Sequence, residues 1–300
     1  MTTSRFSFAD IPDQTGRTVV VTGANSGIGR VTAREFAARG ARVVLAVRDI
    51  GKGRQAAGGM SGRTEVRRLD LADLASVRSF ADDLDGPVDV LVNNAGLMTP
   101  PFGRTADGFE LQFGTNHLGH FALTNLLLPQ LRGRVVTVSS IAHRSGAIDF
   151  ADPNWQQRRY RATAAYAQSK LANLLFTAEL QRRLTAVGSP VLATAAHPGV
   201  AATDLLRRTG DRPRLQALQH RAVRLLGQSE DDGALPTLFA AVADVPPGGY
   251  AGPTGFLQGR GAPALVGRSR AARDADLAAR LWTLSEMLTG VSFPLPAHIG

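Results

Sequence analysis

Two side chains that could exchange a proton lie one helical turn apart. Tyr166 and Lys170 are separated by four positions, which places them on the same face of a helix. An ammonium group beside a phenol stabilises the phenolate, so Lys170 is expected to lower the pKa of Tyr166 from about 10. Such a phenol can donate a proton to an alkoxide or accept one from an alcohol. The alternative is a chance spacing on an amphipathic helix, but only one other lysine, Lys52, occurs in the chain.

A glycine-rich turn follows the first predicted strand and opens the next helix, with the spacing Gly-x-x-x-Gly-x-Gly. Glycine lets the backbone approach a pyrophosphate, which then rests on the positive end of the helix dipole. Glycine clusters also serve tight turns and helix packing, but this position in an alternating α/β chain favours a dinucleotide site. The predicted contacts in this turn are Gly23, Asn25, Ser26, Gly27, Ile28 and Gly29.

Polar or small residues also follow the third, fourth and fifth predicted strands. Asp70 could accept a hydrogen bond from an adenine amino group, or it could cap the following helix. Asn93 begins a turn of small residues that allows close approach of an adenosine, although twin asparagines could equally bond backbone groups of neighbouring strands. The Ser140 hydroxyl could bind a carbonyl oxygen at the ligand-binding edge of the sheet, and Ser139 is the competing candidate. Further predicted cofactor contacts here are Leu71, Ala95 and Gly96.

Short apolar strands alternate with longer amphipathic segments over the first two-thirds of the chain. The predicted strands are 18–22, 42–47, 64–69, 88–92, 134–138, 191–195 and a short one near 255–257, and the predicted helices are 27–39, 74–84, 108–131, 164–187, 233–242 and 271–288. Strands that are apolar throughout and alternate with helices form right-handed βαβ units in a buried sheet. The pattern predicts one α/β domain, a Rossmann-type doubly wound parallel sheet with helices on both faces. Residues 16–203 would form its cofactor and catalytic core, and 204–300 a small substrate lid and C-terminal extension.

The composition excludes several classes of protein. Because the 300 residues include no cysteine, a disulfide scaffold, a thiol nucleophile and an iron–sulfur cluster are excluded. No stretch approaches the ~20 apolar residues of a membrane helix, and the N-terminus lacks the apolar part of a signal peptide, so a cytoplasmic protein is expected. The net charge of +9 comes from arginines scattered among acids, which argues against nucleic-acid binding. His117 and His120 lack an acidic third ligand, so no metal site is expected.

Taken together, these motifs resemble those of the short-chain dehydrogenases/reductases. The resemblance runs in the correct order over residues 18–203, and its motifs are Gly23-x-x-x-Gly27-x-Gly29, Asn93-Asn94-Ala95-Gly96, Ser140, Tyr166-x-x-x-Lys170 and Pro198-Gly199. A second set, Asn116-His117-Leu118-Gly119-His120 and Leu281-Trp282-x-x-Ser285-Glu286, resembles the retinol-dehydrogenase-like and protochlorophyllide-reductase-like branch. The resemblance implies hydride transfer between a nicotinamide dinucleotide and an alcohol or carbonyl substrate.

The resemblance also implies a role for each catalytic candidate. Tyr166 is the acid and base, Lys170 also holds the cofactor ribose, and Ser140, the second serine of its pair, contacts the substrate. Asn116 is similar to a fourth family residue, which holds a water between the lysine and solvent; its alternative is an asparagine bonded within a helix kink. Groups after the sixth strand could bind the nicotinamide carboxamide, or the Pro-Gly pair is a simple turn. These residues are Pro198, Gly199, Val200 and Thr203.

The end of the second strand indicates which dinucleotide is preferred. An acidic residue there accepts a hydrogen bond from the ribose 2′-hydroxyl and repels a 2′-phosphate. This chain has Val47 where NAD-using family members tend to carry that acid, and Arg48 follows. A guanidinium can pair with a phosphate through forked hydrogen bonds, so NADP(H) is predicted and NAD(H) is the less favoured cofactor. Asp49 keeps the alternative open, because a shift of register would bring its carboxylate to the ribose.

These residues predict an NADP(H)-dependent oxidoreductase for a small carbonyl or alcohol substrate, and the branch resemblance suggests a lipophilic one. The alternative is a catalytically silent dinucleotide-binding redox sensor or scaffold, which would be expected to lack one of the four catalytic candidates; all four are present. The substrate pocket is expected to be lined by Leu97 and Met98, by residues 141–165, which include His143 and Trp155, and by residues 204–226. Pairing of two chains through the two long helices is typical of the family, although some relatives of this branch are monomeric.

Overall fold

The structure, a computed structural model, describes residues 5–199 and 229–294. A sheet of eight strands lies at the centre of this part of the chain. The strands are β1 (Thr18–Thr22), β2 (Arg42–Val47), β3 (Arg63–Arg68), β4 (Val88–Asn93), β5 (Leu131–Val138), β6 (Leu192–Ala196), β7 (Tyr250–Pro253) and β8 (Pro263–Leu265). Their spatial order is β3-β2-β1-β4-β5-β6-β7-β8. Neighbouring strands are parallel except β7 and β8, so the predicted parallel sheet carries one antiparallel strand at its edge.

Helices cover both faces of this sheet. They are α1 (Gly27–Ala38), α2 (Ile50–Ala57), α3 (Leu74–Asp82), α4 (Leu111–Phe113), α5 (Gly119–Leu127), α6 (Ala162–Ala186), α7 (Glu230–Val242) and α8 (Ala275–Thr289). One apolar cluster packs α1 and α7 against the sheet, and the cluster on the opposite face contains residues of α3, α5, α6 and α8. The predicted doubly wound α/β domain is confirmed. Among the described residues, no helix is both long and apolar enough to cross a membrane.

The long helix predicted over residues 108–131 is interrupted. It begins as the single turn of α4, widens into a π-helical turn at Gly114–Leu118, continues as α5, and ends in a 3-10 turn at Leu128–Gln130. Leu131 already belongs to β5. The spacing of apolar residues in the sequence cannot reveal such a widening. A π turn holds about one residue more than an α turn, but it does not require different residue types. Single π turns of this kind occur frequently at functional sites.

The short strand predicted near residues 255–257 is wrong. Phe256–Gln258 is a short 3-10 helix in the connection between β7 and β8. Its backbone cannot be extended, because φ is +51° at Leu257 and +56° at Gln258. The two strands that flank it were missed, since β7 and β8 span only Tyr250–Pro253 and Pro263–Leu265 and consist mainly of alanine, glycine and proline, which have low strand propensity.

Helix α6, which carries Tyr166 and Lys170, is buried along most of its length and not on one stripe. The reason is that α8 covers its outer face. The Trp282 ring of α8 stacks on Phe176 of α6 with the centroids 5.8 Å apart and meets Phe121 of α5 edge-on at 4.9 Å. Because α6 is held between the sheet and α8, its two candidate catalytic side chains project from a rigid element.

Candidate active site

Tyr166, Lys170 and Ser140 converge where β5 and α6 meet. The Lys170 ammonium lies 5.8 Å from the centre of the Tyr166 ring and donates a hydrogen bond to the Val138 carbonyl oxygen at 3.0 Å. Burial raises the pKa of Tyr166, and the neighbouring Ser140 hydroxyl opposes this in part. The expected lowering of the Tyr166 pKa is therefore not what the structure shows, because burial outweighs the neighbouring groups. Burial also lowers the pKa of Lys170, to about 8.

The structure separates the two serines that the sequence left as competitors. The Ser139 side chain is buried, and its hydroxyl donates a hydrogen bond to the Lys170 carbonyl oxygen at 2.8 Å. The Ser140 side chain is only partly buried and adjoins the Tyr166 hydroxyl, and its oxygen accepts from the Ala142 amide at 3.2 Å. Ser139 therefore attaches the strand end to α6, while the Ser140 hydroxyl lies beside that of Tyr166, and its contact with substrate stays a prediction.

Asn116 lies in the π-helical turn and is separated from Lys170 by Gly96. Its Oδ1 accepts from the Leu97 amide at 2.7 Å, and its Nδ2 donates to the Leu97 carbonyl at 2.9 Å and to the Ser169 hydroxyl at 3.0 Å. A Cβ atom placed on Gly96 would lie 3.2 Å from Asn116 Oδ1 and 3.6 Å from Lys170 Nζ. Asn116 thus lies in an irregular helical turn, but its side chain bonds the segment after β4 and α6 and not its own helix, and its role in holding a water stays a prediction.

A buried histidine connects this turn to β1. The Nδ1–H of His120 donates to the Asn116 carbonyl oxygen at 3.0 Å, and its Nε2 accepts from the Thr22 hydroxyl at 2.9 Å. The same Thr22 oxygen accepts from the amides of Asn94 and Ala95, both at 2.9 Å. Burial lowers the pKa of His120 to about 4, so the ring is neutral at ordinary pH.

Sequence reasoning missed the contact between Thr22 and His120, because the two residues are 98 positions apart and the motif that contains His120 indicates a family branch and not a partner for its ring. His117, in the π-helical turn itself, was weighed with His120 as a possible metal ligand. Its Nε2 instead lies 2.8 Å from the Ser285 hydroxyl of α8, and burial lowers its pKa to about 3. In the described part of the chain, no cluster of three or more potential ligands could hold a metal ion.

The glycine-rich turn has the geometry of a pyrophosphate cradle. Gly23 and Gly27 have φ of +67° and +55°, which only glycine adopts without strain. A Cβ atom on Gly29 would lie 2.3 Å from Asn94 Nδ2 and 2.7 Å from the Gly23 carbonyl oxygen. The Ser26 side chain at the N-cap of α1 makes no capping bond. The first amide groups of α1 are therefore not capped by that side chain and could donate hydrogen bonds to an anion. The turn thus fits the pyrophosphate of the dinucleotide that it is predicted to hold.

The comparison with known proteins agrees with this geometry. A family model described as short chain dehydrogenase matches residues 17–214, which is more than half of the chain. The chain belongs to the short-chain dehydrogenase family. It is accordingly an NAD(P)-dependent oxidoreductase acting on CH–OH or C=O groups.

Named relatives place the chain in the retinol-dehydrogenase-like branch of this family. It is 46% identical to human retinol dehydrogenase 13, over 96% of this chain and 88% of that protein. It is 42% identical to mouse polyprenol dehydrogenase, over 93% and 86%. Among solved structures, an uncharacterised protein from Mycobacterium paratuberculosis superposes with a TM-score of 0.86 at 55% identity and covers 97% of this chain and 100% of that one.

The dehydrogenase places its strand-end residues in different environments. Asn93 is fully buried and its Nδ2 donates to the Thr124 hydroxyl of α5 at 2.8 Å. The backbone bond to a neighbouring strand is made by Asn94, whose Nδ2 donates to the Thr22 carbonyl oxygen of β1 at 2.8 Å. Leu71 is also buried, in the apolar cluster beneath α5. Asp70 is partly exposed and accepts from the Ala72 amide at 3.0 Å, but it does not cap α3. Asp73 is the N-cap instead, which leaves the adenine contact as the remaining prediction for Asp70.

The end of β2 in the dehydrogenase distinguishes Arg48 from Asp49. The Asp49 carboxylate caps α2 by accepting from the Lys52 amide at 3.0 Å, and it lies 3.9 Å from the Lys52 ammonium. The Arg48 side chain is exposed. One oxygen of the carboxylate that could have reached a ribose therefore caps its own helix, and both side chains are exposed.

The region predicted to bind nicotinamide is described only as far as Gly199. There φ is +71°, and the Gly199 amide donates to His197 Nδ1 at 3.1 Å. Val200, Thr203 and the predicted lid at residues 204–226 lie outside the described residues. His197 is buried, and burial lowers its pKa to about 4.

Two side chains that are predicted to line the substrate pocket of the dehydrogenase, those of His143 and Trp155, are buried. His143 is buried, and its Nδ1–H donates to the Ser140 carbonyl oxygen at 2.7 Å while its Nε2 accepts from the Ser269 amide at 3.2 Å. Trp155 is only 7% exposed and is covered by the Arg158 guanidinium, 3.7 Å from its ring centre. His143 therefore bonds backbone groups on two sides and the Trp155 ring is covered by Arg158, and their place in the pocket wall stays a prediction.

Proposed function

We propose that this dehydrogenase transfers hydride between NADP(H) and a lipophilic alcohol or carbonyl compound, with Tyr166 as the acid and base. The observation that carries the proposal is the convergence of Tyr166, Ser140 and Lys170 beside a glycine turn that fits a pyrophosphate. The bound dinucleotide would supply or accept the hydride. Pro198 and Gly199 at the end of β6 are the remaining described candidates for holding its nicotinamide half.

Each of the four candidate residues would have a separate role in the reaction. The Ser140 hydroxyl is placed to donate a hydrogen bond to the substrate oxygen, where negative charge develops during reduction. The Tyr166 hydroxyl would protonate the resulting alkoxide or, in the oxidative direction, accept the proton of the alcohol. The Lys170 ammonium would contact the ribose and favour the anionic form of the tyrosine. Asn116 holds Leu97 at the mouth of the site through two hydrogen bonds.

A lipophilic substrate is supported by the names of the relatives. Retinol and polyprenol are both long apolar alcohols, and the proteins named for them share 46% and 42% of their aligned residues with this chain. The test is turnover of purified enzyme with retinol, a polyprenol and short-chain alcohols, each with NADP⁺ and NAD⁺. We expect turnover to favour the apolar alcohols and NADP⁺. No turnover with any alcohol, or with the corresponding aldehydes and NADPH, would instead support the silent redox sensor.

The preference for NADP(H) is supported by the exposed Arg48 and by the engagement of Asp49 in capping α2. Replacing Arg48 with alanine should weaken NADPH binding by about 1.5–3 kcal/mol, because one charge-assisted contact to the 2′-phosphate is lost. NADH binding should barely change. Titration of both cofactors against wild type and variant measures the effect, and Arg54→Ala, which removes an exposed arginine of α2, is the control. Equal losses for the two cofactors would contradict the assignment.

A further inference from the structure

The connection between β7 and β8 presents two large apolar side chains to solvent. Phe256 is 88% exposed and Leu257 77% exposed, more than the other exposed large apolar residues in the described part of the chain. At this exposure the two side chains bury little of their surface against the described part of the chain. Adjacent exposed apolar side chains, unlike singly scattered ones, point to a contact with another molecule or with a membrane.

This connection, residues 254–262, is an ordered structure. The Gly255 amide donates to the Arg260 carbonyl at 2.8 Å, and the Gln258 amide donates back to Gly255 at 2.8 Å. Within the loop, Leu257 and Gln258 have φ of +51° and +56°, a conformation that bulky residues rarely adopt. The hydrogen bonds therefore hold a strained turn whose result is the outward presentation of Phe256 and Leu257. We refer to Phe256–Gln258 as the apolar tip.

The surroundings of the apolar tip are basic. Residues 245–273 contain four arginines and no acidic residue, in a chain that has 25 acids overall. Arg260 lies two residues after the tip and is exposed, and Arg270, further along the chain, is exposed as well. An apolar tip flanked by arginines complements a surface that is apolar beneath and anionic at its boundary, which describes a bilayer containing acidic lipids.

The position of the tip relates it to the active site. Because β7 runs parallel to β6, its carboxyl end at Pro253 lies at the same edge of the sheet as the carboxyl ends of β1, β5 and β6. That edge holds the glycine turn, Ser140 and Gly199. A surface that bound the tip would therefore face the side of the molecule on which the reaction site opens.

We propose that the apolar tip docks this protein onto the surface of anionic lipid bilayers. Phe256 and Leu257 enter the interface between headgroups and acyl chains, and Arg260 and Arg270 contact lipid phosphates. This inference concerns the surface of the molecule and holds whichever substrate the enzyme uses.

Vesicle sedimentation with the full chain tests the proposal. The wild type is expected to sediment with vesicles of phosphatidylcholine and phosphatidylglycerol, and much less with phosphatidylcholine alone. The double variant Phe256→Ser, Leu257→Ser should bind the anionic vesicles at least about tenfold more weakly, because the apolar insertion is lost. Binding by the wild type should also fall in about 0.5 M salt, which screens exposed charges.

Met287→Ser is the matched control, because it removes another large apolar side chain, 72% exposed, from the distant helix α8. This variant should bind vesicles as the wild type does. The unfolding temperature and the affinity for NADPH should be unchanged in the tip variant, which shows that it is folded. The proposal is overturned if the wild type remains in the supernatant, or if the tip variant binds as well as wild type. It is equally overturned if size-exclusion chromatography shows that the tip joins two copies of the chain.

Discussion

Replacing Tyr166 with phenylalanine is expected to lower turnover by about 10²–10⁴-fold, the usual contribution of a positioned proton donor. The ring remains in its packing while the hydroxyl beside Ser140 is lost. Affinity for NADPH should change by less than about threefold, because the variant removes no charge from the cofactor site. Steady-state kinetics with the best alcohol of the substrate panel, and fluorescence titration with NADPH, measure the two effects separately.

Tyr160→Phe is the control for this experiment. The Tyr160 hydroxyl donates to Glu110 at 3.0 Å and lies at the start of the helix that leads to Asn116, away from Ser140. Its removal should leave turnover per folded enzyme close to that of the wild type. Retention of a third or more of the activity by Tyr166→Phe would remove this tyrosine from the reaction.

Replacing Lys170 with methionine should reduce turnover and also weaken NADPH binding, since methionine fills the space without an ammonium group. The pKa of Lys170 is lowered to about 8 by burial, so the cation is present below that pH and is lost above it. In the wild type, NADPH affinity should therefore fall as the pH rises through about 8, and this pH dependence should be absent in the variant. Lys52→Met, which removes the exposed second lysine, should keep the wild-type pH profile.

The same variant should be more stable than the wild type. The folded pKa of Lys170 is about 8 against an ordinary value of 10.5, so the unfolded chain binds the proton more tightly and burying the ammonium costs about 3 kcal/mol at neutral pH. Methionine avoids that cost but loses one hydrogen bond to Val138, worth about 1 kcal/mol. A clear fall in unfolding temperature, or an unchanged pH dependence of NADPH binding, would contradict the role assigned to Lys170.

Much of the fold and the main site residues could be predicted from the sequence, because they depend on local patterns. The apolar runs of β1, β2 and β4 and the glycine spacing before α1 each indicate an element on their own. Tyr166 and Lys170 were found because four residues correspond to one helical turn. These signals involve neighbours in the chain, and the structure places each of them where the pattern indicates.

The features that the sequence did not reveal depend on contacts between distant segments. Thr22 meets His120 across 98 positions of sequence, and neither residue belongs to a periodic pattern. The π turn at Asn116 and the left-handed turn at Leu257 involve residue types that are equally common in regular helices and strands. β7 was missed because its pairing with β6 supplies the stability that its own residues do not.

The buried histidines around the active site set a lower pH limit for the fold. Burial lowers the pKa of His117 to about 3 and those of His120 and His197 to about 4, from an ordinary 6.5. Below pH 6.5 the unfolded chain therefore binds protons that the buried rings of the folded chain do not, so stability falls as the pH decreases, until about pH 4 for His120 and His197 and about pH 3 for His117. The loss is about 3 kcal/mol for each of His120 and His197 and about 5 kcal/mol for His117, and a domain has only about 5–15 kcal/mol in total. These three buried histidine rings thus make the folded enzyme unstable in acid.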